Sequence, residues 1–221
     1  LPLGTANNIA RTLGLRARTE TLLRGLARPR TRPFDLGCVR GPWGEARFLE
    51  ACGLGLFAHG LARYNPAGSK SLVRAAGAAF RTLARHEARE VRLELGGRDY
   101  SGRYLMVEAM NTASMGLRLQ LAPGADPGDG MFDVILVRED RSVSPYAYLR
   151  GFARGGLDRL PNVERVRTPS LKIDWDGLPL HLDEELRGDL HGGGPGGALS
   201  VSLQPGALTL WLPTRPYDQL P

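Results

Sequence analysis

The sequence predicts a mainly β chain with some helix, arranged as an antiparallel sandwich or barrel. Three observations predict it. From Phe34 onward the pattern is one of many short strand-like runs. Turn-forming Gly, Pro, Asp and Asn residues separate them, which favours antiparallel neighbours. Helical spacing is confined to a few segments, and no internal repeat is present.

The first element is Leu1-Pro2-Leu3-Gly4-Thr5-Ala6-Asn7-Asn8-Ile9-Ala10-Arg11-Thr12-Leu13-Gly14, a glycine turn feeding a helix. Gly4 lets a ligand approach the backbone and tolerates positive φ. Thr5 is the expected N-cap. Ile9 and Leu13, four apart, give the helix one apolar face, and Gly14 stops it. A glycine turn before a helix offers free N–H donors to phosphate, although most such turns are only caps. Residues 15–33 are polar and arginine-rich, with a short helix over 19–26. The breaker segment Arg28-Pro29-Arg30-Thr31-Arg32-Pro33 is expected as a linker, which divides the chain into residues 1–33 and 34–221.

Strands are predicted at residues 34–39 and 45–53, joined by the turn Arg40-Gly41-Pro42-Trp43-Gly44 into a hairpin. Residues 54–62 are apolar and glycine-rich, and residues 69–89 read as a helix. Its apolar face carries Leu72, Ala76, Phe80 and Leu83, and a basic stripe carries Lys70, Arg74, Arg81, Arg85 and Arg89. Further strands are expected at 91–95, turned by Gly96-Gly97, and at 103–110, 116–121 and 132–137. Ser144-Pro145 opens a helix to about residue 158. Strands at 163–167, 171–175, 178–182, 198–203 and 207–212 complete the set.

Composition narrows the function. The chain has 221 residues and a formal charge of +6, carried by arginine with Lys70 and Lys172 as the only lysines. That suits an anionic partner. No nucleic-acid module is visible, so nucleic acid is not expected. No run approaches the ~18 apolar residues of a membrane span, so the expectation is a soluble or peripheral chain. Cys38 and Cys52 lie in strand-like segments without metal spacing and read as buried thiols; the four histidines are scattered.

Three further stretches carry candidate chemistry. In Asp126-Pro127-Gly128-Asp129-Gly130-Met131-Phe132-Asp133, Asp126 and Asp129 on one turn, with the Met131 carbonyl, could converge on a hard cation. The same residues also make an ordinary turn. In Leu180-His181-Leu182-Asp183-Glu184-Glu185, an acid at a strand end could serve as general base, or be a charged surface turn. The basic helix could lie on an anionic membrane, or simply pack on the core with a solvated face.

The opening run LPLGTANNIAR resembles the second glycine motif of the diacylglycerol kinase catalytic family, which includes bacterial lipid kinases, resembles sphingosine kinases and is distantly similar to NAD kinases. The family typically reads Pro-x-Gly-Thr-x-Asn-Asp; here Asn8 stands at the aspartate. The resemblance implies the C-terminal β-sandwich of a two-domain lipid kinase, with residues 1–33 a remnant of the N-terminal α/β nucleotide-binding half. The Gly-Gly-Asp-Gly-Thr motif of that half is absent from these residues, so the chain is expected to be a C-terminal portion, inactive alone. The resemblance further implies ATP and Mg²⁺ as cofactors, with Gly4, Thr5 and Asn7 at the nucleotide phosphates. It implies a structural Mg²⁺ at Asp126, Asp129 and Met131, and a cleft position for Asn111 in the loop Asn111-Thr112-Ala113-Ser114-Met115-Gly116. Glu185 matches the catalytic glutamate of the family's Asp-Gly-Glu motif, with Glu184 in place of glycine. A rival match, Asp176-Gly177-Leu178, would put leucine at the glutamate. The implied activity is phosphoryl transfer from ATP to a lipid hydroxyl. The implied partners are a diacylglycerol-like lipid and an anionic membrane surface met peripherally from the cytoplasm, with a homodimer left open. A kinase for a soluble substrate such as NAD, and a non-catalytic lipid-binding or regulatory homologue, are the alternatives.

Overall fold

The structure, a computed structural model, describes residues 1–4, 6–63, 87–116, 118–154, 156–190 and 196–214. Two short helices open it, α1 (Asn8–Thr12) and α2 (Thr19–Gly25). The expected cap Thr5 lies outside the described residues. The residue at the N-cap position is Asn7, whose φ of 55° is left-handed, a region Asn enters more readily than most side chains. Positive φ therefore falls at Asn7 and not at Gly4. Gly14 ends α1 as expected, at φ 76°.

The strands are β1 (Arg30–Gly41), β2 (Gly44–Phe48), β3 (Ala51–Gly55), β4 (Arg89–Leu95), β5 (Arg98–Asp99), β6 (Gly102–Met110), β7 (Ser114–Met115), β8 (Leu119–Gln120), β9 (Phe132–Arg138), β10 (Val163–Thr168), β11 (Ser170–Trp175), β12 (Leu180–Leu182), β13 (Glu185–Arg187) and β14 (Gly197–Leu212). Helix α3 (Leu56–Arg63) follows β3, and α4 (Pro145–Arg154) precedes β10. Twelve strands form one antiparallel sheet in the order β13-β12-β3-β6-β4-β11-β14-β1-β2, with β9 and β10 branching from β6 and β5 beside β4. The sheet curls into a half-barrel, so the fold is the mainly antiparallel β architecture with N-terminal helical elements that the sequence predicts.

Burial explains the curl. Val39, Phe48, Tyr104, Phe132, Trp175 and Val201 fill its inside. Met106, Met110 and Ile135 of β6 and β9 bury a second core against Tyr148 of α4 and Leu157. A third joins Leu13, Leu15 and Leu22 to Phe34 and Leu212, which docks the N-terminal helices on the ends of β1 and β14. Apolar burial of this kind is the main stabilising term of the fold.

Several expected elements are altered. Residues 30–33, expected as a linker, are strand and pair with residues 209–212 of β14. Pro33 is tolerated because β2 pairs only with residues 37–41, so β1 is an edge strand at Pro33, next to the bulge between Phe34 and Leu36. The expected strand 45–53 is two strands, broken at Leu49 and Glu50. The strands expected at 198–203 and 207–212 are one, and the turn between them is a bulge. Leu36 pairs with Gln204 and Phe34 with Leu208, so residues 205–207 oppose Asp35 alone. The strand expected at 116–121 shrinks to Leu119–Gln120. The helix opened by Ser144 ends at Arg154, followed by the 3-10 turn Leu157–Arg159. The basic helix lies outside the described residues as far as residue 86, and Arg89 begins β4. Cys38 and Cys52 are buried free thiols, as expected.

Candidate functional site

The break between β2 and β3 exists because a side chain from far along the chain replaces the missing sheet bonds. The Asp183 carboxylate accepts hydrogen bonds from the backbone N–H groups of Leu49, Glu50 and Ala51, at 2.8, 2.7 and 3.1 Å. The Asp183 N–H donates back to the Ala51 carbonyl at 2.8 Å. Asp183 holds φ 54° in the tight turn between β12 and β13, a conformation that short polar residues accept best. Glu184 is not at positive φ, so a glutamate where the resemblance expects glycine meets no backbone strain.

Beneath this turn lies a buried acid–base pair. His181 Nε2 and Glu108 Oε2 are 2.7 Å apart, both side chains fully buried. His181 Nδ1 lies 2.9 Å from the Asp183 carbonyl. A carbonyl only accepts, so Nδ1 carries a hydrogen, and one proton is held between Nε2 and the carboxylate. Burial pushes the Glu108 carboxyl up, against the pull of His181. Burial alone would lower His181, but the Glu108 carboxylate outweighs it and raises the imidazole. Gly53 is required here: a Cβ on it would sit 1.9 Å from Glu108 Oε2.

A groove of about 750 Å³ runs above the turn. Gly4, Asn7 and Asn8 line one side, and Asp183, Glu184 and Glu185 line another. Glu50 stands between them, and Leu13, Leu15, Leu49, Leu210 and Trp211 form an apolar wall. Trp211 is 70% exposed, an unusual position for an indole. The structure thus brings Gly4, Asn7 and Glu185 into one groove. Gly4 and Asn7 are tied by a reciprocal pair: Gly4 N–H donates to Asn7 Oδ1 at 2.8 Å, and Asn7 Nδ2 donates to the Gly4 carbonyl at 2.6 Å. Glu185 is 72% exposed and accepts from Arg187 at 2.8 Å.

Other candidates lie elsewhere. Asn111 is buried below the groove, donating to the Asp35 and Leu49 carbonyls at 3.0 and 2.9 Å. The rival turn at Asp176 is closed by Asp176 Oδ1 accepting from Leu178 N–H at 3.1 Å, and lines a separate small cavity beside Trp175. In the turn at 126–131 each carboxylate meets an arginine. Asp126 pairs with Arg32 at 2.5 Å, and Asp129 pairs with Arg167. Among the described residues, no three His, Cys, Asp or Glu side chains converge as a metal cluster.

Three carboxylates in the machinery carry no motif. Asp35, 1% exposed, accepts from the N–H groups of Gly130 and Gly206, both at 2.7 Å. Glu108 completes the buried pair. Glu50 takes a hydrogen bond from Asn8 Nδ2 at 3.0 Å. Burial, with the charges of Asp183 and Glu184, pushes the Glu50 carboxyl up to about 7, while the Asn8 donor pulls the other way. Each acid interrupts an apolar run: Phe34-Asp35-Leu36, Leu49-Glu50-Ala51 and Val107-Glu108-Ala109. That interruption was the available signal, since lone acids are seldom buried without a partner.

Comparison with known proteins follows the same outline. The family described as YegS C-terminal NAD kinase beta sandwich-like domain matches residues 64–212. A protein of Pseudomonas fluorescens named "Probable lipid kinase YegS-like" is 30% identical over 218 residues, covering 96% of this chain and 68% of its own. The Bacillus subtilis protein named "Diacylglycerol kinase" is 27% identical over 201 residues, covering 87% of this chain and 63% of its own. A crystal structure of a diacylglycerol kinase from Bacillus anthracis superposes with TM-score 0.64 at 16% identity, covering 95% of this chain and 64% of that one; it shows the fold. The chain spans about two thirds of the length of these relatives.

Proposed function

The chain belongs to the YegS C-terminal NAD kinase beta sandwich-like domain family, and from that premise we propose that it forms the lipid-facing part of an ATP-dependent kinase acting on a lipid hydroxyl. One observation carries the reading: the glycine turn and the acidic turn line a single groove that also has an apolar wall. An acceptor with a hydroxyl head and an apolar tail matches that division.

Each group has a role set by its chemistry. Glu185 takes the proton of the acceptor hydroxyl as it attacks, once it leaves its contact with Arg187. Gly4, Thr5 and Asn7 are assigned to the phosphate side of the groove in this reading. The Leu210 and Trp211 wall receives the acyl chains. Asp183 is committed to three backbone amides and Glu185 to Arg187, so the acidic turn itself is not a ready cation site. Mg²⁺, when bound, neutralises charge on the transferring phosphoryl group. At the turn of Asp126, Asp129 and Met131 the donors suit a second, structural Mg²⁺, which would have to displace Arg32 and Arg167. Membrane docking through residues 69–89 belongs to the same proposal, as does a division near residue 33, which falls within β1. Docking predicts salt-sensitive binding to anionic vesicles that charge reversal at Arg74 and Arg81 weakens.

Transfer of radiolabelled phosphate from ATP to lipid acceptors tests the reading. The complete protein carrying these residues is expected to turn over, and the 221 residues alone are not. Glu185→Gln should lower kcat by at least ~100-fold with little change in KM. A non-catalytic lipid-binding homologue is the second reading, favoured by the arginine on Glu185; lipid binding without transfer would establish it.

A further inference from the structure

The glycine motif lacks its expected carboxylate at Asn8, yet the site around Asn8 does not lack one. Asn8 is 3% exposed, and its amide is fixed on both sides. Nδ2 donates to the Gly116 carbonyl at 2.9 Å and to Glu50 Oε2 at 3.0 Å, and Oδ1 accepts from Ser114 Oγ at 3.3 Å. The Glu50 backbone is equally fixed. Its N–H donates to Asp183, and its carbonyl accepts from the N–H groups of Asn111 and Thr112 at 2.9 and 3.2 Å. A carboxylate is therefore launched into the groove from a rigid anchor and held against the residue that replaces the aspartate.

We propose that Glu50 supplies the carboxylate of the glycine-turn side of the groove: acid and amide have changed places across one hydrogen bond, and Asn8 positions the acid. This deepens the kinase reading and rests on it only for activity. The charged groups facing Glu50 are Asp183 and Glu184 of the acidic turn, both negative; from α1 it meets the neutral Asn8. No arginine or lysine is among the described residues that line the groove. Glu50 thus sits among negative neighbours with one amide donor, and an acid with a midpoint near neutrality matches its charge to the working pH.

Two measurements test this. In the complete protein, phosphate transfer is measured for the wild type, Asn8→Asp, Glu50→Gln and the exchanged pair Asn8→Asp/Glu50→Gln. Glu50→Gln is expected to lose at least tenfold in kcat and the limb of the pH–rate profile near 7, and the exchanged pair to recover most of the loss. A purely structural role would not give rescue by moving the acid to position 8. In the 221-residue chain, the Glu50 carboxyl is titrated by carbon-13 NMR, with each variant's spectrum checking that it folds. A midpoint near 7 that rises further in Asn8→Ala, where the amide donor is lost, supports the inference. An exchanged pair no better than Glu50→Gln overturns it, as does an ordinary carboxyl midpoint indifferent to Asn8. If the wild type transfers no phosphate, the kinase reading fails and the titration decides the Glu50 inference by itself.

Discussion

Asp183 shows how much one side chain sets here. Three backbone amides of a broken strand point at its carboxylate, and charge-assisted bonds of this kind are roughly twice as strong as neutral ones. Asp183→Asn keeps a side chain suited to φ 54° and removes the charge. It should cost about 1–3 kcal/mol in urea unfolding at pH 7. Asp183→Ala should cost about 1 kcal/mol more, because it adds the left-handed penalty. The buried pair below gives a second prediction. His181→Leu leaves the Glu108 carboxylate without its partner, and such losses run to about 3–5 kcal/mol. Glu108→Leu with His181→Leu should be less damaging than His181→Leu alone; a double variant at least as unstable would exclude desolvation of Glu108 as the cause.

At the scale of elements, most of the sheet was legible in the sequence. The Pro42-Trp43 hairpin turn and the strand at residues 132–138 carry local signals, in turn residues and in the apolar run over residues 134–137. The breaks in strands were not legible. A polar residue inside an apolar run looks the same whether it faces solvent or holds a distant loop, and periodicity does not report which. Asp35 gives no local signal for this reason, although it sits opposite the β14 bulge and ties Gly206 to Gly130. Pro205-Gly206, between the strands expected at 198–203 and 207–212, carries the local signal of a turn; long pairing with β1 on both sides makes it a bulge. Asp35→Ala should leave the Gly130 and Gly206 amides unpaired, at about 1–3 kcal/mol each. Hydrogen exchange checks this: those two amides should lose protection while the β6–β9 ladder keeps it.

The whole molecule sets its acids against its net charge. A chain of charge +6 carries a groove whose charged side chains, among the described residues, are all acidic. The motifs at residues 1–14 and 180–188 were legible because each is local in sequence, but the groove between them is a product of topology: β12 and β13 sit at one edge of the sheet and α1 packs near its far end on β1 and β14. Glu50, placed where these meet, couples the groove to the stability of the fold. Its carboxyl is raised to about 7 from an ordinary 4.5. Between those values the folded chain holds a proton that the unfolded chain has released, so this contribution to stability is fully present below 4.5 and is lost as pH rises through 7. After allowance for solvent screening it amounts to about 1–2 kcal/mol, or a few degrees in Tm. Thermal unfolding from pH 5 to 8 should show Tm falling for the wild type. In Glu50→Gln, which cannot ionise, the fall should be shallower and the curve should cross above the wild type by pH 8. Parallel curves for the two chains would mean that Glu50 titrates alike in the folded and unfolded states, and that the groove does not hold its charge.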